Sequence, residues 1–387
     1  MIHTAGWQEI KEGKVTDVYF ARTLQILRAK GIDKRVRAEL IAKELPQGWA
    51  WAVLAGMEEC LSLMEGVKVH VRGMAEGTIF RPYQPVLEVE GNYTDFCLYE
   101  TALLGFLCQA SGIATKAARC KKAAGNRMVI SFGARRMHPS LAPMIERNAY
   151  IGGCDGVAVV ASGRLIEQDP MGTMPHALII LLGDTVGAIQ AFHEVIPGEV
   201  RRVALIDTFN DEKFEALRVA EALGKELAAI RLDTPRSRRG DFYRIFEEVR
   251  WELDLRGYQH VKLYASGALD EEDIHRLNPL VDAYGVGTTI SNAPVVDFSM
   301  DIVEVEGQPL AKRGKWSGAK SVWRCRQCHQ DQILPRGWPP EGCPCGGERE
   351  ELVQPLVQDG QLLHSFPLAR QLREKVLQQL ELEAFPL

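Results

Sequence analysis

Several things are scarce in this chain, and each scarcity removes a class of function. Basic residues do not dominate: 46 Lys and Arg face 51 Asp and Glu, leaving a net charge of −5. A nucleic-acid surface wants a basic stripe, so no nucleic-acid partner is expected. Uninterrupted apolar runs are also lacking. The most apolar windows, 50–64 and 96–118, are broken by Glu58 and Glu59 and by Glu100, Gln109 and Lys116. They read as buried helices, and no membrane partner is expected. The opening MIHTAGWQEIKEG has no basic region followed by an apolar stretch, so no secretory signal is expected. The nine cysteines are an odd number, four of them crowded into 325–345 and five scattered. That pattern suits a reducing cytoplasm better than a disulfide frame. A length of 387 residues exceeds one ordinary core, so two or three domains are expected.

What the chain does have is repetition between 201 and 289. RRVALIDTFND, AAIRLDTP, HVKLYASGALD and VDAYGVGTT each run aliphatic and then break into Asp, Ser, Thr or Gly. Helical patterns lie between them. Phe214, Leu217 and Ala220 share a face before Gly224; Phe242, Ile245, Phe246, Val249 and Leu253 share another before Gly257; Asp270 caps a third, short helix. Apolar strands alternating with helices predict a parallel sheet covered on both faces. Ligands of such sheets meet the carboxyl ends of the strands.

The flanking regions differ. Residues 1–120 read as an α+β domain. Thr16 or Asp17 caps a helix that begins at Tyr19 and Phe20, an apolar helix runs from Trp49 to Glu65, antiparallel strands follow, and Asp95 caps a long helix. Residues 121–300 hold the parallel-sheet domain, opened by a strand over 128–132 and a second over 155–160. The Gly172–His176 stretch brings the count to about seven strand-like elements. An eight-fold barrel takes about 250 residues, so a distorted or incomplete α/β barrel is expected here. Residues 301–387 form a C-terminal segment expected to pack back on the N-terminal domain. Within it, a zinc ribbon is expected over 322–350. Lys312, Arg313, Lys315 and Lys320 read as a solvated basic loop. Cys325 and Cys328, fourteen intervening residues, and then Cys343 and Cys345 supply four thiolates to one tetrahedral ion. Four sulfurs leave no open position, which makes a structural Zn²⁺ the reading. A helix over 366–383 closes the chain.

The strand ends suggest a ligand. Gly267, Gly285 and Gly287 let backbone amides approach an anion, and Ser266 and Thr288 add hydroxyls, so a phosphate fits. Asp207 and Asp233 can hold Mg²⁺ on a polyphosphate or orient ribose hydroxyls. Arg231 lies two residues before Asp233, on the same strand face. Arg135 and Arg136 can grip a carboxylate or phosphate. His176, after Gly172 and Thr173, belongs to the same ring of loops; the alternative is a buried histidine satisfied by one hydrogen bond.

These runs carry a family likeness. Thr16-Asp17-x-Tyr19, SGIAT at 111–115, FGARR at 132–136, GTMPHA at 172–177, IDTFN at 206–210, IRLD at 230–233, Ser266-Gly267 and GVGT at 285–288 together resemble nicotinate phosphoribosyltransferase. The likeness covers roughly residues 10 to 320, and the cysteine-rich tail resembles that of an archaeal and bacterial branch. It implies a distorted α/β barrel beside a sandwich-like N-terminal domain, in a homodimer whose subunits share active sites. It implies the substrates nicotinate, phosphoribosyl pyrophosphate with Mg²⁺, and ATP as co-substrate. By the same likeness Ser266, Gly267, Gly285, Gly287 and Thr288 hold the 5′-phosphate. Asp207, Asp233 and Arg231 serve ribose and pyrophosphate, with Thr173 beside them. Arg135 or Arg136 pairs with the nicotinate carboxylate, Tyr19 of a partner stacks on the pyridine, and His176 is phosphorylated. Three alternatives stay open. Asp155 either accepts a carboxamide, favouring nicotinamide, or caps the turn after Gly152-Gly153. Quinolinate phosphoribosyltransferase shares the SGIAT run but calls for more basic residues around the base. A non-catalytic phosphosugar sensor would not need Asp207, Asp233 and His176 together.

Overall fold

The structure, a computed structural model, describes residues 3–384. The chain divides into two units, one made of its two ends (3–115 with 293–384) and one of its middle (116–292). The first boundary falls within the helix Glu100–Ala124.

The first unit is built on a seven-stranded antiparallel sheet. Across it the strands run Gln308–Pro309, Phe298–Val305, Arg35–Ala42, Leu87–Asn92, Val69–Gly73, Gln354–Gln358 and Gln361–Leu362. Alternation sets the faces: Val36, Ala38, Leu40, Val69, Val71, Leu87 and Val89 enter the core with Cys60, Leu63 and Met64 of the helix Met57–Met64. On the other face Arg37 stands opposite Glu90 and Glu304 and pairs with both, and with Glu88 at 3.3 Å. Unlike charges directly across strands fix the register as well as adding stability.

Two expectations for this unit are corrected, and one central strand had none. The helix expected from Trp49 begins only at Met57. Before it, Ala52–Val53 pairs with Ile79–Phe80, and Gly56 at φ +88° interrupts the chain where a Cβ would meet the Phe106 carbonyl oxygen at 2.5 Å. The strand Arg35–Ala42, central to the sheet, carried no expectation, because the strand Phe298–Val305 that completes it lies some 260 residues on. The basic loop is not solvated throughout: Lys320 Nζ lies 2.8 Å from the buried Glu39, and Lys315 and Lys312 both clasp Asp301.

The tail adds a three-stranded antiparallel sheet, Asp331–Pro335, Lys320–Cys325 and Arg349–Glu351. The closing helix Ala369–Leu382 buries Leu372, Val376 and Leu380 and is tied through Gln379 to the amide of Ile79 and the carbonyl of Gly77.

The second unit is a six-stranded parallel sheet in the order Gly156–Val157, Met128–Ser131, Ala283–Val286, Lys262–Ser266, Ala229–Leu232, Val203–Leu205. Every neighbouring pair is parallel. The outer strands do not pair with each other among the described residues, so the barrel is left open. The Gly172–Pro175 stretch, counted as strand-like, is irregular chain leading into the helix His176–Leu182, which lowers seven elements to six. The helices Glu212–Leu223, Phe242–Leu255 and Glu271–Leu277 start on the side chains of Asp211, Asp241 and Asp270, each accepting a backbone N–H of the first turn.

Candidate active site

Parallel pairing brings the carboxyl ends of four strands distant in sequence to one edge. Ser131 pairs with Val286, Ser266 with Gly285, and Ala265 with Leu232. The residues that follow these strands therefore gather there. Within this set Arg231 is the hub. Its Nε donates to Ser266 Oγ at 2.9 Å, Nη1 donates to Thr173 Oγ1 at 2.6 Å, and Nη2 lies 3.3 Å from Asp233 Oδ2. Ser266 Oγ in turn donates to Asp233 Oδ1 at 2.8 Å. The guanidinium also sits 5.4 Å from the centre of the Phe132 ring, a cation–π contact that holds its plane.

The glycines are required by space. At Gly285 a Cβ would fall 2.4 Å from the Phe132 ring. At Gly267, with φ +94°, it would fall 3.1 Å from the Asp233 carbonyl oxygen. Gly133 has the Gly287 carbonyl oxygen 2.4 Å from where its Cβ would be. The backbone here is packed against itself, which leaves a cradle with no side chain in the way of an anion.

His176 Nε2 lies 3.1 Å from Asp207 Oδ2. The Asp207 side chain is 1% exposed against 39% for His176, so the carboxylate is fixed below and the imidazole faces outward. Burial pushes the Asp207 carboxyl above its usual range; contact with His176 offsets part of this, and the charge of Asp233 adds to it. Asp207 Oδ1 and Thr208 Oγ1 are buried without a hydrogen-bond partner. A buried carboxylate oxygen left open beside a second carboxylate fits a divalent cation.

Two connected cavities lie over this edge. One of about 450 Å³ is lined by Phe132, Arg135, Thr173, His176, Arg231 and Asp233. Another of about 320 Å³ is lined by Arg135, Arg136, Asp233, Ser266, Gly267, Gly285, Gly287 and Thr288. The side chains of Arg135 and Arg136 have no hydrogen-bond or ion-pair partner among the described residues, which leaves both guanidinium groups available. Twelve of the thirteen expected catalytic and substrate residues thus lie at this edge of the second unit. Tyr19 does not: it stands on the helix Val18–Lys30 of the first unit, 57% exposed.

Asp155 is corrected. It precedes the strand Gly156–Val157, at the amino end of the sheet. There it accepts from Lys121 Nζ at 2.9 Å and from the Val129 amide at 2.8 Å. It therefore lies away from the carboxyl edge and lines neither cavity there. Three site residues carried no expectation. Phe132 supports Arg231; Arg236 lines the second cavity; and Arg239 Nη1 donates to the Gly267 carbonyl at 2.9 Å. The run Arg236-Ser237-Arg238-Arg239, placed just after a strand-end Asp, was the available signal. Glu146, fully buried, accepts from the amides of Ala158 and Val159 and so fixes the loop wall.

In the tail, the sulfurs of Cys325, Cys328, Cys343 and Cys345 all lie within 4.8 Å of one another and form a set that can hold a metal ion. Backbone N–H groups of Cys328 and Gln327 bring the Cys325 thiol down to about 6, toward the thiolate a metal needs. His329 is outside the set, 3.4 Å from Glu383.

Comparison with known proteins places the chain among phosphoribosyltransferases. Residues 17–111 match the family model "Quinolinate phosphoribosyl transferase, N-terminal domain", and 113–301 match the corresponding C-terminal domain. The nicotinate phosphoribosyltransferase pncB1 of Mycobacterium tuberculosis is 30% identical over 403 residues, covering 92% of this chain and 88% of that protein. The crystal structure of nicotinate-nucleotide pyrophosphorylase from Pyrococcus furiosus is 55% identical with a TM-score of 0.97 over 98% of both chains. Human nicotinic acid phosphoribosyltransferase, at 21% identity, shares the fold with a TM-score of 0.76 over 95% of this chain and 94% of that one.

Proposed function

Because the chain belongs to the nicotinate phosphoribosyltransferase family, we propose that it joins nicotinate to phosphoribosyl pyrophosphate, forming nicotinate mononucleotide and pyrophosphate in NAD salvage, with ATP cleavage coupled to the reaction. The observation that carries this reading is the single connected set Thr173–Arg231–Asp233–Ser266, with the open oxygen of Asp207 beside it.

In this reading the amides around Gly267, Gly285 and Gly287, with Ser266 and Thr288, receive the 5′-phosphate. Asp233 orients the ribose hydroxyls, and Arg231 faces the pyrophosphate. Asp207 and Asp233 would hold Mg²⁺, which neutralises charge on the departing pyrophosphate. Arg135 or Arg136, both without partners, takes the nicotinate carboxylate. Tyr19 of a partner subunit in a homodimer stacks on the pyridine ring. The bond from C1 to pyrophosphate breaks as the pyridine nitrogen bonds to C1, and the carboxylate stays on the ring. The protein's own residues position and stabilise charge; none forms a covalent bond to C1. His176, fixed by Asp207 and facing the larger cavity, is the group that accepts a phosphoryl from ATP. The four cysteines bind Zn²⁺ with a structural role. The compartment is the cytoplasm.

The matched family models give quinolinate transfer a second claim. Two carboxylates on the base would need both free guanidinium groups, whereas nicotinate needs one. Product formation is therefore measured with nicotinate, nicotinamide and quinolinate offered separately, each with and without ATP, on wild type and His176→Ala. Turnover of nicotinate alone, raised by ATP only when His176 is present, is the expected result. Turnover of quinolinate with loss of carbon dioxide would replace the reading.

A further inference from the structure

The loop that follows the strand Lys262–Ser266 is fastened by side chains at three successive carbonyls. Arg239 Nη1 donates to Gly267 at 2.9 Å, Arg236 Nη2 to Ala268 at 2.9 Å, and Thr289 Oγ1 to Leu269 at 2.6 Å. The amides of Ala268 and Leu269 donate to nothing among the described residues. Gly267 and Ala268 both have positive φ, +94° and +53°. Glycine adopts such angles freely. For alanine they are strained, and they persist only where the surroundings enforce them.

A trans peptide is planar, with each carbonyl antiparallel to the N–H of the next residue. Holding the Gly267 carbonyl therefore turns the Ala268 N–H to the opposite side. Arg239 is 8% exposed and lines neither cavity of the carboxyl edge, whereas Gly267 and Ala268 line the second. Its guanidinium thus grips the loop from behind, and it lies 4.2 Å from the centre of the Phe242 ring, which steadies it. Arg236 differs. Its side chain is 59% exposed, opens on that cavity and also donates to Asp273 at 2.9 Å. A charged donor on a carbonyl makes a stronger bond than a neutral one, and it polarises the peptide so that the following N–H becomes a better donor to an anion.

We propose that Arg239 is a positioning residue for the 5′-phosphate: it holds the Gly267 carbonyl so that the Ala268 N–H faces the cradle, and it does so without touching the substrate. This deepens the reading of the loop as the phosphate cradle and rests on it. Arg239 belongs to the segment that leaves the strand Ala229–Leu232 through Asp233. One clasp therefore sets the spacing between the loop that receives the phosphate and the carboxylate assigned to the ribose hydroxyls.

The test uses ribose 5-phosphate, which carries the sugar and its phosphate but no base or pyrophosphate. Its Kd on the metal-loaded protein is measured by titration calorimetry. Arg239→Met should raise that Kd about tenfold, the effect of losing a hydrogen bond from a charged group. Arg239→Lys keeps a charged donor of similar reach and should recover most of the affinity. In turnover, Arg239→Met should raise KM for phosphoribosyl pyrophosphate by a similar factor, while kcat and KM for nicotinate stay within about twofold. Should Arg239→Met not fold, Arg239→Gln, too short to reach the Gly267 carbonyl, is measured in its place. An unchanged Kd in the folded variant, or a fall in kcat that Arg239→Lys does not recover, overturns the proposal and leaves the reaction standing. A wild-type protein that binds no ribose 5-phosphate overturns the cradle and the proposal together. Because the probe carries no base, the protein's choice of base has no bearing on either result.

Discussion

The two large sheets of this protein treat charge in opposite ways. In the antiparallel sheet of the first unit, Arg37 is met across the strands by Glu88, Glu90 and Glu304, and Arg35 by Glu90, so carboxylates and guanidiniums are matched along the ladder. In the parallel sheet of the second unit, charges at the amino end are paired, as in Lys262 with Asp282 and Lys121 with Asp155, while those at the carboxyl end are only partly matched. There Asp207 keeps an open oxygen, and Arg135 and Arg136 line the cavity. A ladder that sets opposite charges across its strands specifies register. An edge that leaves valences open is costly to the fold and available to a ligand. The difference separates scaffold from site without reference to sequence likeness.

The contrast can be broken or sharpened experimentally. If the first unit depends on completed sets, removing a member of one has the largest effect on stability. Cys343→Ser should abolish the bound metal, about one zinc per chain by elemental analysis, and lower the unfolding free energy of that unit by roughly 4 kcal/mol or more. At the open edge the loss should fall on rate. Asp233→Ala is expected to reduce kcat/KM for nicotinate mononucleotide formation by about 10²- to 10³-fold, with a circular dichroism spectrum like that of wild type. The cradle's packing comes next. Gly285→Ala drives a methyl into Phe132, which should cost about 1–3 kcal/mol in denaturant unfolding and raise KM for the phosphosugar.

The smallest effect carries the opposite sign. Burial raises the Asp207 pKa, so its charged form is the disfavoured one in the folded state. The stability enjoyed by the neutral acid is lost as pH rises through the folded pKa. Asp207→Asn should therefore raise Tm by about 2 °C at pH 7, with the gain vanishing below the ordinary carboxylate range. Turnover should fall in the same variant. A variant less stable than wild type at pH 7 would show that the site's open valences carry no stability cost.

Much of this edge was legible in the chain because its information is local. Each aliphatic run ending in Asp or Gly announces a strand and its terminus, and Arg231 two residues before Asp233 predicts a shared face. What escaped was set by distance. The role of Phe132 exists only because Gly285, some 150 residues later, leaves room for its ring. Asp155 looked like a strand-end acid, but it stands at the start of the strand Gly156–Val157, and in a parallel sheet that start lies at the amino edge, away from the site. Lys315 and Lys320 looked solvated because their acidic partners, Asp301 and Glu39, are not adjacent in sequence. Motifs report strand ends well, and they say little about which charges will be matched.

The strand Arg35–Ala42 has a consequence for biosynthesis. It lies between Leu87–Asn92, made soon after it, and Phe298–Val305, made some 260 residues later. While the chain is being synthesised one of its edges must wait, with hydrogen-bonding groups bare, until the whole middle unit has emerged. The middle unit, contiguous in sequence, can complete its own sheet first. The strand Arg35–Ala42 is therefore made before both of its partners and secured on its second edge only late. Slowed translation between residues 116 and 292 should lengthen the interval in which that edge can pair with another nascent copy.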